Sequence, residues 1–165
     1  MIETLTSVLR EIEVHVGTAG WDQPPRLFAL ANTRELAARE PTLGLVAESA
    51  DAMTPIEQDA LPGDRPLHEA LAHVAWPAEV TGCAIVLERV YLPPSAEAAL
   101  PTDESELTSF AQTHPDRRDV RIAVAVLRDG SRLCALRMKG HEESLSVGPE
   151  LVPGLADALA TTLQD

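Results

Sequence analysis

Two histidines, His68 and His73, flank Glu69-Ala70-Leu71-Ala72 in a stretch with helical periodicity. Helix-borne zinc chemistry needs its histidines at i and i+4, so that both imidazoles reach one metal. Here the spacing is i, i+5. At about 100° per residue the two rings diverge by about 140°, and no shared metal is expected. His15, His114 and His141 stand apart along the chain and read as solvated or hydrogen-bonded side chains. His141-Glu142-Glu143 reads as an exposed loop rather than a cation site. Cys83 and Cys134 form no CxxC pair and lie in apolar runs. They read as buried thiols of a reducing compartment, because a nucleophilic thiol needs an accessible, electropositive setting. No GxGxxG, GxxxxGK[ST] or GxSxG pattern occurs, so dinucleotide, phosphate-loop and serine-nucleophile chemistry have no sequence support. Carboxylates are abundant, and abundance singles out none of them as an acid or base. No catalytic residue, metal or cofactor is assigned.

Two features do carry candidate binding residues. The first is the loop Gly20-Trp21-Asp22-Gln23-Pro24-Pro25. Trp21 there can stack on a ligand or anchor a partner, with Asp22 and Gln23 as polar contacts. The plainer alternative is that Trp21 plugs the end of the core and Asp22 caps the turn. The second feature is charge. The chain has 13 Lys+Arg against 26 Asp+Glu, a net charge of −13, yet residues 117–139 hold seven basic and only two acidic groups. Arg121, Arg132 and Arg137 are the candidate contacts for an anion or an acidic partner. The plainer alternative is pairing with the protein's own carboxylates, since surface charges balance locally at little net energy. Nucleic acid is disfavoured as the main ligand, by phosphate repulsion and by a chain with only 3% aromatic residues for base stacking.

These residues depend on the elements that position them. Leu5, Val8, Leu9, Ile12 and Val16 share one helical face, which predicts an amphipathic helix over 2–16. Residues 26–31 read as a strand, and Thr33 as the cap of a helix over 34–40 closed by Pro41. Thr54-Pro55-Ile56-Glu57 matches a capping box with proline at the first helical position, predicting one brief turn. A better helix opens at Asp64 or Arg65, then Pro66, with Leu67, Leu71 and Val74 on one face and Trp76-Pro77 at its end; Trp76 is expected in the core. Residues 81–92 are apolar on both faces, the mark of a strand covered on both sides. A short helix is expected over 104–113, with Asp103 and Glu106 as its capping pair. Val120 to Lys139 reads as a hairpin around a two-residue Asp129-Gly130 turn. If Arg128 faces Ser131, Ile122, Val124, Val126, Leu133 and Ala135 form a core face. Ala123, Ala125, Leu127, Cys134 and Leu136 form a second face, fit for a packed helix or a second subunit. Leu151, Leu155, Ala158 and Leu159 mark a C-terminal helix. The fold class is α+β: a mainly antiparallel sheet of about four strands with helices packed on it.

With 165 residues and 45% hydrophobic content, one domain over 1–165 is expected, able to build its own core. No run approaches the roughly 20 apolar residues of a membrane span, and no signal peptide is visible. The expectation is an acidic cytoplasmic protein. Gly20-Trp21-Asp22-Gln23-Pro24-Pro25-Arg26-Leu27-Phe28-Ala29-Leu30, together with Thr54-Pro55-Ile56-Glu57-Gln58, Ala75-Trp76-Pro77 and Leu151-Val152-Pro153-Gly154-Leu155, resembles a family of conserved actinobacterial proteins of unknown function. The resemblance covers nearly the whole chain. It implies a single α+β domain and carries over no site.

Three function classes remain. The first is a non-enzymatic binding or interaction protein, as a homodimer or with a protein partner; small acidic α+β secretion chaperones offer a fold-level analogy. The second is an enzyme whose site assembles from scattered carboxylates, His and Arg. The third is a regulator that binds a small anion on the basic hairpin.

Overall fold

The apolar stripe of the N-terminal segment folds as helix α1 (Ile2–Gly17). Leu5, Val8, Leu9, Ile12 and Val16 are each at most 3% exposed, and each fully buried aliphatic side chain contributes about 1.5–3 kcal/mol before its entropy cost. The protein is described here by a computed structural model covering residues 2–47, 49–59, 61, 66–91, 118–140, 145–149 and 151–164. After α1 come β1 (Arg26–Asn32), α2 (Thr33–Arg39), a 3-10 turn (Pro41–Leu43), β2 (Met53–Glu57), α3 (Leu67–Ala72) and β3 (Val80–Tyr91). Then follow β4 (Arg118–Leu127), β5 (Arg132–Met138), β6 (Ser146–Gly148) and α4 (Pro153–Thr162). The helix expected at 104–113 lies outside the described residues, as do His114, His141, Glu142 and Glu143.

The class is α+β, but among the described residues the sheet has six strands rather than about four. Their order is β2-β1-β3-β4-β5-β6, and every neighbour is antiparallel. Helix α1 covers one face, over Phe28, Leu30, Ala84, Val86, Ala123 and Ala125. Helices α3 and α4 cover the other, where Leu71, Ala156 and Leu159 meet Cys83, Ile85, Val124 and Val126. Strand β3 is therefore apolar on both sides because both sides are roofed. In α4 the buried residues are Ala156, Leu159 and Thr162, with Leu163 just past its end; Leu151 is 42% exposed. Trp76 packs against the same layer and donates from Nε1 to Thr162 Oγ1 at 2.9 Å. No helix among the described residues is long and apolar enough to cross a membrane.

Three local readings are corrected. The first is the hairpin. Leu127 N–H donates to Ser131 O at 2.8 Å, so its loop holds three residues, Arg128-Asp129-Gly130. Gly130 takes a left-handed φ of +94°, the three-residue hairpin with a glycine bulge. The ladder slips by one residue from the expected register, pairing Val124 with Cys134 and Ala123 with Ala135. Such a slip turns every side chain of one strand over. Leu133 and Ala135 join Ala123, Ala125 and Leu127 beneath α1, while Cys134 and Leu136 join Ile122, Val124 and Val126 beneath α3 and α4. Both hairpin faces are thus covered by helices of this chain.

The second correction is the cap of α2. Asn32, not Thr33, accepts from Glu35 N–H at 3.1 Å. Thr33 is committed elsewhere: its N–H donates to Ala52 O and its hydroxyl shares a 2.8 Å hydrogen bond with that of Thr54.

The third concerns Thr54-Pro55-Ile56-Glu57, which is edge strand β2 and not a helical turn. The bonds Thr33 N–H to Ala52 O and Gln58 N–H to Leu27 O fix which residues of β2 bond to β1. By alternation Pro55, opposite Leu30, has its nitrogen on the outer edge. Proline without an N–H blunts such an edge against pairing with another strand. Pro55→Val restores the donor and a strand-favouring side chain. The variant is expected to self-associate more than the parent in concentration-dependent light scattering; equal molecular masses across concentration would refute this role for Pro55.

Candidate functional site

The Trp21 loop and two of the three candidate arginines meet at one end of the sheet, beneath the C-terminal half of α1. Their common partner is Glu13, a residue of α1 only 2% exposed. Arg137 donates to it twice, from Nε to Oε1 at 2.7 Å and from Nη2 to Oε2 at 2.8 Å. Arg121 faces Arg137 across β4 and β5 and places Nη1 3.8 Å from the same Oε1. Arg121 is itself 3% exposed. Its Nη2 donates to Gly20 O at 2.6 Å, and its guanidinium lies 4.4 Å from the centre of the Trp21 ring. Lys139 Nζ approaches that ring at 5.9 Å. The Arg121 Nε has no hydrogen-bond partner among the described residues, so part of its desolvation cost stays uncompensated.

The loop is held by its own polar groups. Glu88, opposite Arg121 on β3, accepts from the N–H of Asp22 at 2.8 Å and of Gln23 at 3.0 Å. Asp22 adopts a left-handed φ of +66°, a region that Asp with its short polar side chain tolerates better than most residues. Gln23 donates to the carbonyls of Val16 and Gly20 and so caps the end of α1. Arg132 is not part of this cluster. The ladder register puts it on the opposite face, where it meets Asp157 of α4 at 2.7 Å. Arg128 was missed by the sequence reading. It donates to carbonyls of Val80, Leu163 and Pro77, tying the hairpin to the C-terminal end of α4, where a cation suits the helix dipole. Arg121, Arg132 and Arg137 each have an acidic partner within the chain, and a ligand at any of them would compete with that partner.

Both cysteines are buried, and burial pushes the Cys83 thiol up to about 11. His68 lies in α3 and His73 just past its end. No group of three or more potential metal ligands occurs among the described residues.

Open space lies along the other edge of α1. A hollow of about 550 Å³ separates the first turns of α1 from β2 and the segment before it. Val8, Met53 and Pro55 form its apolar floor, Thr33 and Thr54 its hydroxyl wall, and Glu3 and Glu11 its rim. Thr4 and Ser49, also lining it, each donate to Asp51 at 2.7 Å. These two hydroxyls, Ser49 foremost, hold the Asp51 carboxyl below its ordinary pKa. Val46 at the margin is 83% exposed. A second hollow of about 680 Å³ shares Ser7, Glu11 and Pro55 and continues along α1 past Phe28 to Glu57. There Arg26 grips Glu57 through two hydrogen bonds of 2.9 and 2.6 Å and holds its carboxyl below the ordinary range.

A family model for PPA1309-like proteins matches residues 5–164. The chain belongs to the PPA1309-like family. The match spans α1 through α4, so the buried Glu13 cluster and the α1–β2 groove both fall within the PPA1309-like region. Comparison with curated proteins and with solved structures gives no match.

Sequence reasoning named Trp21, Asp22, Gln23, Arg121 and Arg137, and missed Glu13, Glu88 and the groove. A signal for Glu13 existed. It stands four residues after Leu9 and three before Val16, inside the apolar arc of α1.

Proposed function

We propose that this PPA1309-like protein acts by binding, and that the α1–β2 groove receives a basic, partly apolar segment of another polypeptide. The observation that carries this is the combination of an apolar floor with a rim of carboxylates. Glu3 and Glu11 flank Val8, Met53 and Pro55, and Asp51 beside them is kept ionised by two hydroxyl donors. The net charge of −13 favours the encounter. Two walls of the groove are the regular elements α1 and β2, which need little ordering on binding.

The test uses a soluble peptide alternating Lys and Leu, followed by backbone amide NMR, with an acidic peptide of the same apolar pattern as control. The basic peptide is expected to shift residues of α1 and β2, and to bind less tightly as salt rises. Glu3→Gln with Glu11→Gln should weaken it by about three- to tenfold, and Val46→Ser should weaken it without touching the core. Shifts mapping elsewhere, or equal binding of the acidic peptide, would overturn the reading.

A further inference from the structure

The face of the sheet opposite α1 carries a separate cavity of about 450 Å³ between α3, α4 and the ends of β3 and β4. Its floor is apolar: Leu71 and Ile122, at 2% and 8% exposure, with Leu155 and Ala158. Its rim is cationic or proton-donating, with Arg89 from β3 and His68 from α3. Arg89 differs from four other arginines of the sheet. Arg26 holds Glu57, Arg121 and Arg137 share Glu13, and Arg132 holds Asp157. Arg89 has no ion pair among the described residues, in a chain with twice as many acids as bases. An unopposed guanidinium over an apolar hollow is complementary to an anion that carries a hydrocarbon tail.

We propose that this cavity binds a small molecule with one anionic head and an apolar tail. The head lies against Arg89, with His68 as a second donor, and the tail lies over Leu71, Ile122 and Leu155. Gly154 completes the mouth. A Cβ built there meets nothing within 4 Å, so the space before it is open. The first turn of α4 contains no acidic residue, and nothing in it repels the head. This site is independent of the α1–β2 groove and lies across the sheet from it.

The probe is decanoate below its micellar concentration, with 1-decanol and decylamine as controls of equal tail length, read by calorimetry and amide NMR. Decanoate is expected to bind one to one and to shift residues of α3, β3 and α4. Arg89→Gln, at an exposed position, should weaken it about tenfold, the loss of one charge-assisted contact. Gly154→Leu, which improves helix propensity, should fill the mouth and abolish binding while the melting temperature holds. Decanol and decylamine should bind at least tenfold more weakly than decanoate. The proposal is overturned by absence of saturable binding, by equal affinity for decanoate and decanol, by an unchanged affinity in Arg89→Gln, or by shifts confined to α1 and β2. The first three outcomes leave the peptide groove untouched, and its own probe is basic.

Discussion

Glu13→Gln is expected to destabilise the fold by about 3–5 kcal/mol, a large part of the roughly 5–15 kcal/mol that holds a domain together. The substitution keeps the volume of the side chain and one acceptor oxygen. It removes the charge and sets an amide NH2, itself a donor, where the second oxygen accepted from Arg137. What remains is two guanidiniums, from Arg121 and Arg137, beneath α1 with no carboxylate between them. Arg137 is 17% exposed along its side chain and can turn toward water, but Arg121, at 3%, is enclosed by Trp21, Gly20 and Gly17. The loss should appear as a lower urea midpoint with an unchanged slope, and as a melting temperature lower by about 10 °C.

The companion variant separates net stability from specification. Replacing the whole triad, as Glu13→Leu with Arg121→Met and Arg137→Met, removes all three of its buried charges together. It is expected to be neutral or stabilising by about 1–4 kcal/mol, because burial of charge costs about as much as pairing returns. Together the two results would mean that the triad fixes where α1 and the Trp21 loop sit rather than adding stability. A cost below about 1 kcal/mol for Glu13→Gln would instead mean that water reaches Arg121.

The same triad shows what a sequence exposes and what it withholds. The stripe of α1 and the two-sided apolarity of β3 were legible because burial is written into local periodicity. The hairpin was legible as a hairpin but not in its register. Asp129-Gly130 suits a two-residue turn, and it equally supplies the last two residues of a three-residue loop. The choice is made at a distance, by which side chains α1 can cover: Leu133 and Ala135 fit under it beside Ala123 and Ala125. Strand β2 was misread for a similar reason. Thr-Pro-Ile-Glu satisfies the pattern of a helix start, and only the open edge of β1 at Ala29 and Leu30 makes it a strand. Strand β6 has three residues and leaves no periodicity to read. At the candidate site, unusual residues such as Trp21 and Gln23 drew notice, while Glu13 looked like one acid among 26. Ordinary residues become special through burial, and burial is a property of the assembled layers.

Gly82→Ala is expected to cost about 3 kcal/mol, with a sign opposite to that of intrinsic preference. Gly inside a strand is worse than Ala by about 0.5–1 kcal/mol, so propensity alone predicts a gain. Packing predicts the reverse. A Cβ at Gly82 would stand 2.4 Å from the carbonyl oxygen of Val126 and 2.6 Å from Leu127 Cδ2, with Leu127 Cα at 3.1 Å. The Leu127 methyl can rotate away, but the Val126 oxygen belongs to the backbone of β4, held between β3 and β5. The β3–β4 register runs unbroken through Gly82 and Leu127, while the β1–β3 ladder on the other side of Gly82 is irregular. Leu30 pairs with Gly82 and Ala31 with Val80, leaving Thr81 as an extra residue on β3. Such a bulge sharpens the local twist and brings neighbouring backbones together. The displaced Thr81 carbonyl then accepts from Arg128 N–H at 3.0 Å, which anchors the β4–β5 loop. Alanine at 82 must therefore push β4 outward or flatten the bulge, and overpacking of this kind costs about 1–3 kcal/mol, with a backbone obstacle at the upper end. A urea titration of Gly82→Ala decides between the two signs. If the variant is as stable as the parent or more so, β3 and β4 are not locked at this point, and the tie between Arg128 and Thr81 does not set the hairpin's position.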